Sequence, residues 1–174
     1  MAGAARIIIG MTSTDAHVAT VATAEAPDAS EAPDTAGALD TAAVVDTYLA
    51  TVADPAATPE RIAAHYGERV DWMCADNPAV PWLRPRATRD DVAAHWRELR
   101  KHTVAGAGGA SVDALVISGP EAVLTGQLWG TVRATGKSFR SPFALRFTVE
   151  GGEIVRHHVY EDSLAIAAAC TPGE

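Results

Sequence analysis

The sequence predicts an α+β fold in which a curved antiparallel sheet wraps around three N-terminal helices. Two observations predict this class. Before residue 106, apolar residues recur at helical spacing behind typical capping residues, with one strand-like segment among them. After the glycine-rich break at 106–109, four strand-like segments are separated by short turns, which require antiparallel neighbours. The space between such a sheet and its helices is a natural pocket.

Two helices open the predicted domain. The first is expected over residues 39–53, where apolar side chains share one helical face. That face consists of Val44, Val45, Tyr48, Leu49 and Val52. Asp54-Pro55 ends this helix. Thr58 then provides an N-cap for a short second helix, which the pattern extends through Tyr66 to a stop at Gly67.

A strand and a third helix come next. Residues 70–74 are typical of a strand, and the following loop, 76–82, contains prolines that forbid a regular ladder. Thr88 is an N-cap followed by acidic residues in the first turn of the third helix. The buried stripe of this helix is predicted to contain Val92, Trp96 and Leu99.

The four later strands are predicted over residues 111–118, 122–134, 138–150 and 153–162. Glycine-containing pairs at 119–120, 136–137 and 151–152 mark the turns between them. Gly126 and Gly130 lie inside the second of these strands, which favours a bulge or bend there. The sheet is therefore expected to be strongly curved.

Composition limits the possible partners and location of the protein. The 174 residues, 48% of them hydrophobic, suit one domain with a real core. A formal net charge of −8 opposes binding to phosphate backbones, so nucleic acid is not expected as a partner. Cys74 and Cys170 lack the spacing of a disulfide framework or a zinc site, which favours a cytoplasmic protein. The apolar run at 7–9 is too short for a signal peptide or a membrane span.

The first part of the chain differs from the rest in composition. Residues 12–37 are rich in Ala, Thr, Asp, Glu and Pro and contain almost no large apolar side chain. Such a segment cannot bury enough surface to offset its ordering entropy. Residues 1–37 are therefore predicted to be a disordered leader, with Met11 as an alternative start, residues 38–170 a single domain and residues 171–174 a tail.

The last predicted strand concentrates titratable side chains. His157 and His158 are adjacent, so they point to opposite faces of the sheet and at most one of them faces a pocket. The face of His157 also carries Val155 and Val159, and this more apolar character assigns His157 to the pocket. The residue is then either an acid-base group or a histidine that only hydrogen-bonds within the core.

Three segments carry a resemblance to a known family: residues 45–49, 65–72 and 151–162. The last of these combines a glycine, an acid, Ile-Val, a polar or aromatic stretch and Tyr-x-Asp before a short apolar helix. Over residues 39–169 the chain resembles the nuclear transport factor two-like superfamily, and within it the SnoaL-like branch. The resemblance implies a cone-shaped α+β barrel with an apolar pocket, dimeric through its convex sheet. The superfamily includes polyketide cyclases, ketosteroid isomerases, epoxide hydrolases and members without known catalysis, so fold does not settle function.

The resemblance carries over only part of the catalytic sets of the superfamily. Tyr48 lies at the position of the first-helix tyrosine of the isomerases, and Asp76 is the acid nearest to their base. The position of their strand acid corresponds to Ala144, whose side chain cannot donate a hydrogen bond. The water-activating set of the epoxide hydrolases falls at Leu128, Gly130 and Val159, and is therefore absent. Of the mechanisms found in the superfamily, the acid-base catalysis of the polyketide cyclases is the one that the resemblance still implies.

The predicted catalytic residues are thus His157, Tyr48 and Asp76. Two of them have structural alternatives, because Asp76 precedes Asn-Pro and could serve only the turn, while Tyr48 fits the apolar stripe of its helix. The predicted substrate-binding residues are Trp72, Trp82, Trp129, Phe143 and Val159.

Trp82, between prolines on a loop, is placed at the mouth of the pocket. His65, His95 and His102 do not have metal-ligand spacing, so no metal is expected. No phosphate loop or dinucleotide fingerprint follows a strand into a helix, so no other cofactor is expected.

Two functional hypotheses follow. The first is a cofactor-independent acid-base enzyme that acts on a hydrophobic oxygenated small molecule, a cyclase or isomerase of secondary metabolism. The second is a non-catalytic small-molecule-binding or dimeric assembly protein of the same fold. A pocket in which His157 and a carboxylate converge favours the enzyme, and a pocket without titratable side chains favours the second hypothesis.

Overall fold

The computed structural model describes residues 35–173 and confirms the α+β architecture. Its elements are α1 (Thr35–Ala53), α2 (Pro59–Ala63), β1 (Tyr66–Met73), α3 (Arg89–His102), β2 (Gly109–Ser118), β3 (Glu121–Thr131), β4 (Ser138–Glu150), β5 (Glu153–Glu161) and α4 (Ser163–Cys170). Of the predicted leader, residues 1–34 lie outside the described residues, whereas residues 35–37 belong to α1. Within the described part of the chain, none of the helices has the combined length and hydropathy that crossing a bilayer requires.

All five strands form one sheet in the order β1-β5-β4-β3-β2. The strands β2 to β5 pair as the predicted antiparallel meander. The strand β1 runs parallel to β5, so the expectation of a purely antiparallel sheet is wrong at this edge. Parallel neighbours need a long connection, and here α3 and three strands of the meander lie between β1 and β5. As a result, β5 has a partner on each side.

The second helix is shorter than predicted, because Tyr66 belongs to β1. The helix α2 ends at Ala63, and Tyr66 pairs with Ile154 of β5. The amide of Ile154 donates a hydrogen bond to the carbonyl of His65 at 2.9 Å, which fixes the start of β1. Gly67 lies inside the strand and does not cap α2. Pairing between distant parts of the chain here overrides the local helical pattern.

The predicted capping residues act as expected. Thr58 accepts a hydrogen bond from the amide of Arg61 at 3.1 Å and so starts α2. Thr88 and Asp91 form a capping box at the start of α3, since each side chain accepts from the amide of the other residue. A side-chain cap of this type contributes about 1 kcal/mol. These contacts fix where α2 and α3 begin.

The helices pack on the concave face of the sheet and build two apolar clusters. The main cluster lies between α1, α2, α3 and the sheet, and its buried members include Val45, Tyr48, Ile62, Val92, Leu124 and Phe147. A second cluster lies under α4 and consists of Val80, Trp82, Leu83, Val132, Ile166 and Ala169.

The sheet is irregular at Gly126, where a bulge or bend was predicted. The register of the β2–β3 pair shifts between Val112 and Ala114, so the extra residue lies on β2. A Cβ added to Gly126 would collide with the carbonyl oxygen of Ser111 and come within 3.1 Å of the Phe143 ring. Glycine therefore permits the close approach of the two strands.

Gly126→Ala is expected to lower the free energy of unfolding by about 1–3 kcal/mol, because the added methyl group must displace the backbone of β2. Urea unfolding measures the change. Gly173→Ala is the matched control, since no atom lies within 4 Å of a Cβ added there. Wild-type stability in Gly126→Ala would contradict the close approach.

Candidate functional site

A cavity of about 620 Å³ lies between the concave face of the sheet and the helices α1 and α3. Its wall is mainly apolar. Several of its residues are exposed and mark the opening between the end of α1, the last turns of α3 and the loop before β2. They are Pro55, Arg100, Ala105 and Gly106.

His157 lies in the wall of this cavity and is only 4% exposed. Its Nδ1 is 2.7 Å from the hydroxyl of Tyr66, and its ring centroid lies 4.3 Å from that of Trp72 and 4.7 Å from that of Phe147. Its Nε2 is buried and has no hydrogen-bond partner among the described residues. Burial, together with the nearby charges that His95 and His158 would carry, lowers the pKa of His157 to about 3. The imidazole is therefore neutral at physiological pH.

His158, the adjacent residue, lies on the opposite face of β5. Its Nε2 is 3.1 Å from the Asp71 carboxylate on β1. The guanidinium of Arg156 on the same face lies 2.7 Å from that carboxylate and, with His158, lowers the pKa of Asp71. The two adjacent histidines thus differ in surroundings as strand alternation requires.

Tyr48 of α1 is buried in the cavity wall. Its ring makes edge contacts with Tyr66 and Phe147, at centroid distances of 5.7 and 5.5 Å. Burial raises the pKa of Tyr48 to about 12, although its hydrogen bond with Tyr66 lowers it in part. Tyr48 therefore keeps its hydroxyl proton and can donate it in a hydrogen bond.

Glu161 is a cavity residue that sequence reasoning missed. It lies on the same face of β5 as His157 and Val159, and it pairs across the sheet with Phe143. No hydrogen bond or ion pair involves its carboxyl group among the described residues, and burial raises its pKa from 4.5 to about 7. The alternation that assigns His157 to the pocket also applies to Glu161, four residues farther along, and was the available signal.

His95 of α3 is the second cavity residue that was missed. Its Nδ1 lies 3.3 Å from the carbonyl oxygen of Trp82, and its ring centroid lies 5.0 Å from that of Trp72. Burial, followed by the charge of Arg86, lowers the pKa of His95 to about 4. The signal was its position three residues after Val92, on the buried stripe of α3.

Asp76 does not reach the cavity. It is exposed on the loop that follows β1 and does not belong to the cavity wall. The neighbouring Asn77 attaches this loop to the start of α4, since its side chain donates to the carbonyl of Ser163 at 3.1 Å and accepts from the amide of Ala79 at 3.2 Å. The only described carboxyl groups in the cavity wall are those of Glu161 and Asp54, and Asp54 pairs with Arg61 at 2.8 Å.

The five residues predicted to bind substrate differ in position. Trp72, Phe143 and Val159 belong to the cavity wall. Trp82 also borders the cavity but is 3% exposed and packs in the cluster under α4, so its placement at the mouth is wrong. Its loop folds back beneath α4 instead of extending into solvent. Trp129 reaches only the rim, since its ring stacks 5.3 Å from the Arg140 guanidinium on the outer face of the sheet.

The fold also shows where the residues lie that were compared with the isomerase and epoxide hydrolase catalytic sets. Leu128, Gly130 and Val159 all line the cavity and supply no group that could activate water. Ala144 alternates with Phe143 and Leu145, which line the cavity, and therefore faces outwards. At these positions, all within the part of the chain that the structure describes, the cavity has neither the strand acid of the isomerases nor the hydrolase triad.

Comparisons with known proteins agree with the α+β fold of this chain. A family model described as a SnoaL-like domain matches residues 45–157. An NTF2-like protein from Burkholderia thailandensis is similar in structure, with a TM-score of 0.65 and 25% identity over 76% of this chain and 98% of that chain. No curated protein matches the chain.

Two further similar structures contain small molecules. One is a hypothetical protein with a ketosteroid isomerase-like fold from Catenulispora acidiphila, in complex with trimethylamine, with a TM-score of 0.61 and 11% identity over 75% of this chain and 93% of that chain. The other is TerC co-crystallised with polyporic acid, with a TM-score of 0.63 and 14% identity over 75% of this chain and 98% of that chain. At these identities the likeness concerns the fold.

Glu161→Gln should remove a pH-dependent loss of stability. The carboxyl group is protonated in the folded state up to about pH 7 but ionises at 4.5 in the unfolded chain. Its contribution to stability is therefore fully present below pH 4.5 and is lost as the pH rises to about 7. Between about pH 4 and pH 8 we expect the unfolding free energy of the variant to gain up to roughly 3 kcal/mol relative to wild type. Urea unfolding at both pH values measures this, and parallel pH profiles would contradict a raised pKa at this half-buried carboxyl group.

Proposed function

Because the chain belongs to the SnoaL-like family, we propose that it is a cofactor-independent acid-base enzyme acting on a hydrophobic oxygenated small molecule, of the cyclase or isomerase type found in secondary metabolism. One observation carries this proposal. Glu161 is a carboxyl group without a partner among the described residues, in a mainly apolar cavity, and its pKa is raised to about 7. A general acid or base works best when its pKa lies near the operating pH.

Glu161 takes the proton-transfer role in this proposal, in place of the exposed Asp76. As a carboxylate it removes a proton from a carbon atom next to a ligand carbonyl group, and as a carboxylic acid it returns the proton to another atom of the same skeleton. Within residues 35–173 no charged group holds the carboxyl in either state, so both states are accessible near neutral pH.

Tyr48 serves in this proposal as the hydrogen-bond donor to the ligand, and His157 serves as a positioning residue behind it. The low pKa of His157 makes it a weak base, and its Nε2 has no accessible surface, so His157 acts through the Tyr66 hydroxyl, 2.7 Å from its Nδ1. The high pKa of Tyr48 keeps its hydroxyl protonated. The Tyr48 hydroxyl stabilises negative charge that develops on the ligand oxygen during proton removal, which is the usual role of a fixed donor in a site that excludes water.

The ligand is held by apolar contact with Trp72, Phe143 and Val159. The cavity volume of about 620 Å³ is typical of sites for drug-sized molecules. The complexes of TerC with polyporic acid and of the Catenulispora protein with trimethylamine support a small-molecule ligand for this chain. The proposed substrate is neutral, because the half-buried Glu161 carboxylate disfavours an anion beside it.

We also propose a homodimer formed through the outer face of the sheet, in the cytoplasm. Apolar side chains are exposed on this face, where Val116 and Val123 pair across β2 and β3 with 45% and 37% exposure and Tyr160 is 49% exposed. A second copy would cover them. The two free cysteines support a reducing compartment.

The proton-transfer role is tested with 2-tetralone, an enolisable ketone that fits an apolar cavity. The wild-type protein should accelerate exchange of its α-hydrogens with D₂O, followed by ¹H NMR, with a rate that rises with pH through about 7 as Glu161 ionises. Glu161→Gln should reduce the rate by about 10²-fold or more. Asp76→Asn is the matched control and should leave the rate unchanged, because Asp76 is exposed outside the wall.

The same assay separates the enzyme from the alternative. Binding of the ketone without accelerated exchange would contradict the enzyme and favour the non-catalytic binding protein. Exchange that persists in Glu161→Gln would keep the enzyme but reject the role of Glu161.

The dimer is tested by sedimentation velocity at micromolar concentration, where the wild type should sediment as a dimer. Val123→Arg should convert it to a monomer by placing a charge on the buried outer face. Leu164→Arg is the matched control, since Leu164 is 79% exposed on α4 rather than on the outer face of the sheet. A monomeric wild type would reject the dimer.

A further inference from the structure

Glu161 is a half-buried carboxyl group in the cavity wall that no described cation balances. Within residues 35–173 it takes part in no hydrogen bond or ion pair. The other carboxyl group of the described wall, Asp54, differs in this respect, since it pairs with Arg61 at 2.8 Å. A carboxylate that has lost part of its water is stabilised most by an opposite charge close to it. At Glu161 a ligand can supply the charge that the described part of the protein does not.

The other polar groups of the described wall neither balance Glu161 nor repel a cation beside it. His95 and His157 are neutral at physiological pH, because burial lowers their pKa values to about 4 and 3. Burial, with a contribution from the charge of Glu161, raises the pKa of the Cys74 thiol, which therefore keeps its proton. Arg100 is exposed at the opening of the cavity, where water and salt screen its charge.

Aromatic rings form much of the cavity wall, and the faces of such rings attract cations. Phe143 of β4 is the cross-strand partner of Glu161, and side chains paired in this way have Cβ atoms about 5 Å apart. The other rings in the wall belong to Trp72, Trp82, Trp96 and Phe139. The cavity thus combines one carboxyl group with aromatic and apolar surface.

We infer that this cavity is a binding site for a hydrophobic amine, whose ammonium group pairs with the Glu161 carboxylate and whose apolar part lies against the aromatic wall. An alkylammonium group keeps its charge up to about pH 10 and donates charge-assisted hydrogen bonds to a carboxylate. A neutral ligand of the same shape brings no charge to the carboxylate, and an anion is repelled by it. The inference goes beyond the proposed function, because it needs the Glu161 carboxylate in the cavity but no proton transfer from carbon.

The test compares three probes that share one bicyclic skeleton and differ in charge: 2-aminotetralin, 2-tetralol and tetralin-2-carboxylate. Titration calorimetry at pH 8 should show that the wild type binds the amine at least about tenfold more tightly than 2-tetralol, and the carboxylate most weakly. In Glu161→Gln the affinities for the amine and for 2-tetralol should lie within about twofold. Asp54→Asn is the matched control, since it also removes one carboxyl group of the wall, and it should keep the preference.

Proton release by the wild-type protein gives a second measurement that needs no variant. At pH 6 Glu161 is mainly protonated, because its pKa is about 7, so the amine must displace this proton to form the ion pair. Binding of the amine should therefore weaken about tenfold from pH 8 to pH 6. Calorimetry at pH 6 in two buffers of different ionisation enthalpy should show about one proton released per amine bound, and close to none for 2-tetralol.

Equal affinity of the wild type for the amine and for 2-tetralol at pH 8 would overturn the amine site, as would binding of the amine at pH 6 without proton release. A preference that is lost in Asp54→Asn and kept in Glu161→Gln would also overturn it, by placing the ammonium group at the opening. A preference for the amine without exchange of 2-tetralone would reject the enzyme and keep the amine site. Exchange of 2-tetralone without that preference would keep the enzyme and reject the site.

Discussion

The chemistry of the cavity depends on the register of β5, which lies between β4 and β1. Phe147 and Trp72 flank His157 on the two sides, and Phe143 lies opposite Glu161. Side chains alternate along a strand, so a shift of one residue would place both titratable groups on the outer face and bring their neighbours into the cavity. The pairing of β5 with β4 and its pairing with β1 must therefore share one register for the cavity to contain a histidine and a carboxyl group.

The outer face of the sheet stabilises the same register with charged side chains. Arg156 of β5 lies 2.7 Å from Asp71 of β1 and 3.7 Å from Glu121 of β3, and Arg146 of β4 lies 2.7 Å from Glu121. Each partly exposed pair contributes only about 0–1 kcal/mol. A slipped register would separate all of them at once, and it would also bury charged side chains in the apolar cavity.

One physical cause, the removal of water, shifts the pKa values of the cavity in two directions. It lowers the pKa values of His95 and His157, whose charged forms are cationic, and raises those of Tyr48 and Glu161, whose charged forms are anionic. All four groups are thereby driven towards neutrality. Only Glu161 has its pKa near 7, so it is the one group of the four whose charge changes readily at physiological pH. The same burial that lowers the basicity of the histidines makes them fixed hydrogen-bonding groups.

The sequence by itself determined the features that depend on neighbouring residues: the caps of α2 and α3, the glycine turns of the meander and the opposite faces of His157 and His158. It also contained, in the alternation along β5, the position of Glu161, although not the absence of a partner that raises its pKa. Only the tertiary structure decided that Tyr66 starts a strand, that Trp82 packs beneath α4 and that Asp76 remains exposed. These outcomes depend on segments that are distant in the chain, such as β5 beside β1 and α4 beside the loop after β1, and local patterns carry no information about such contacts.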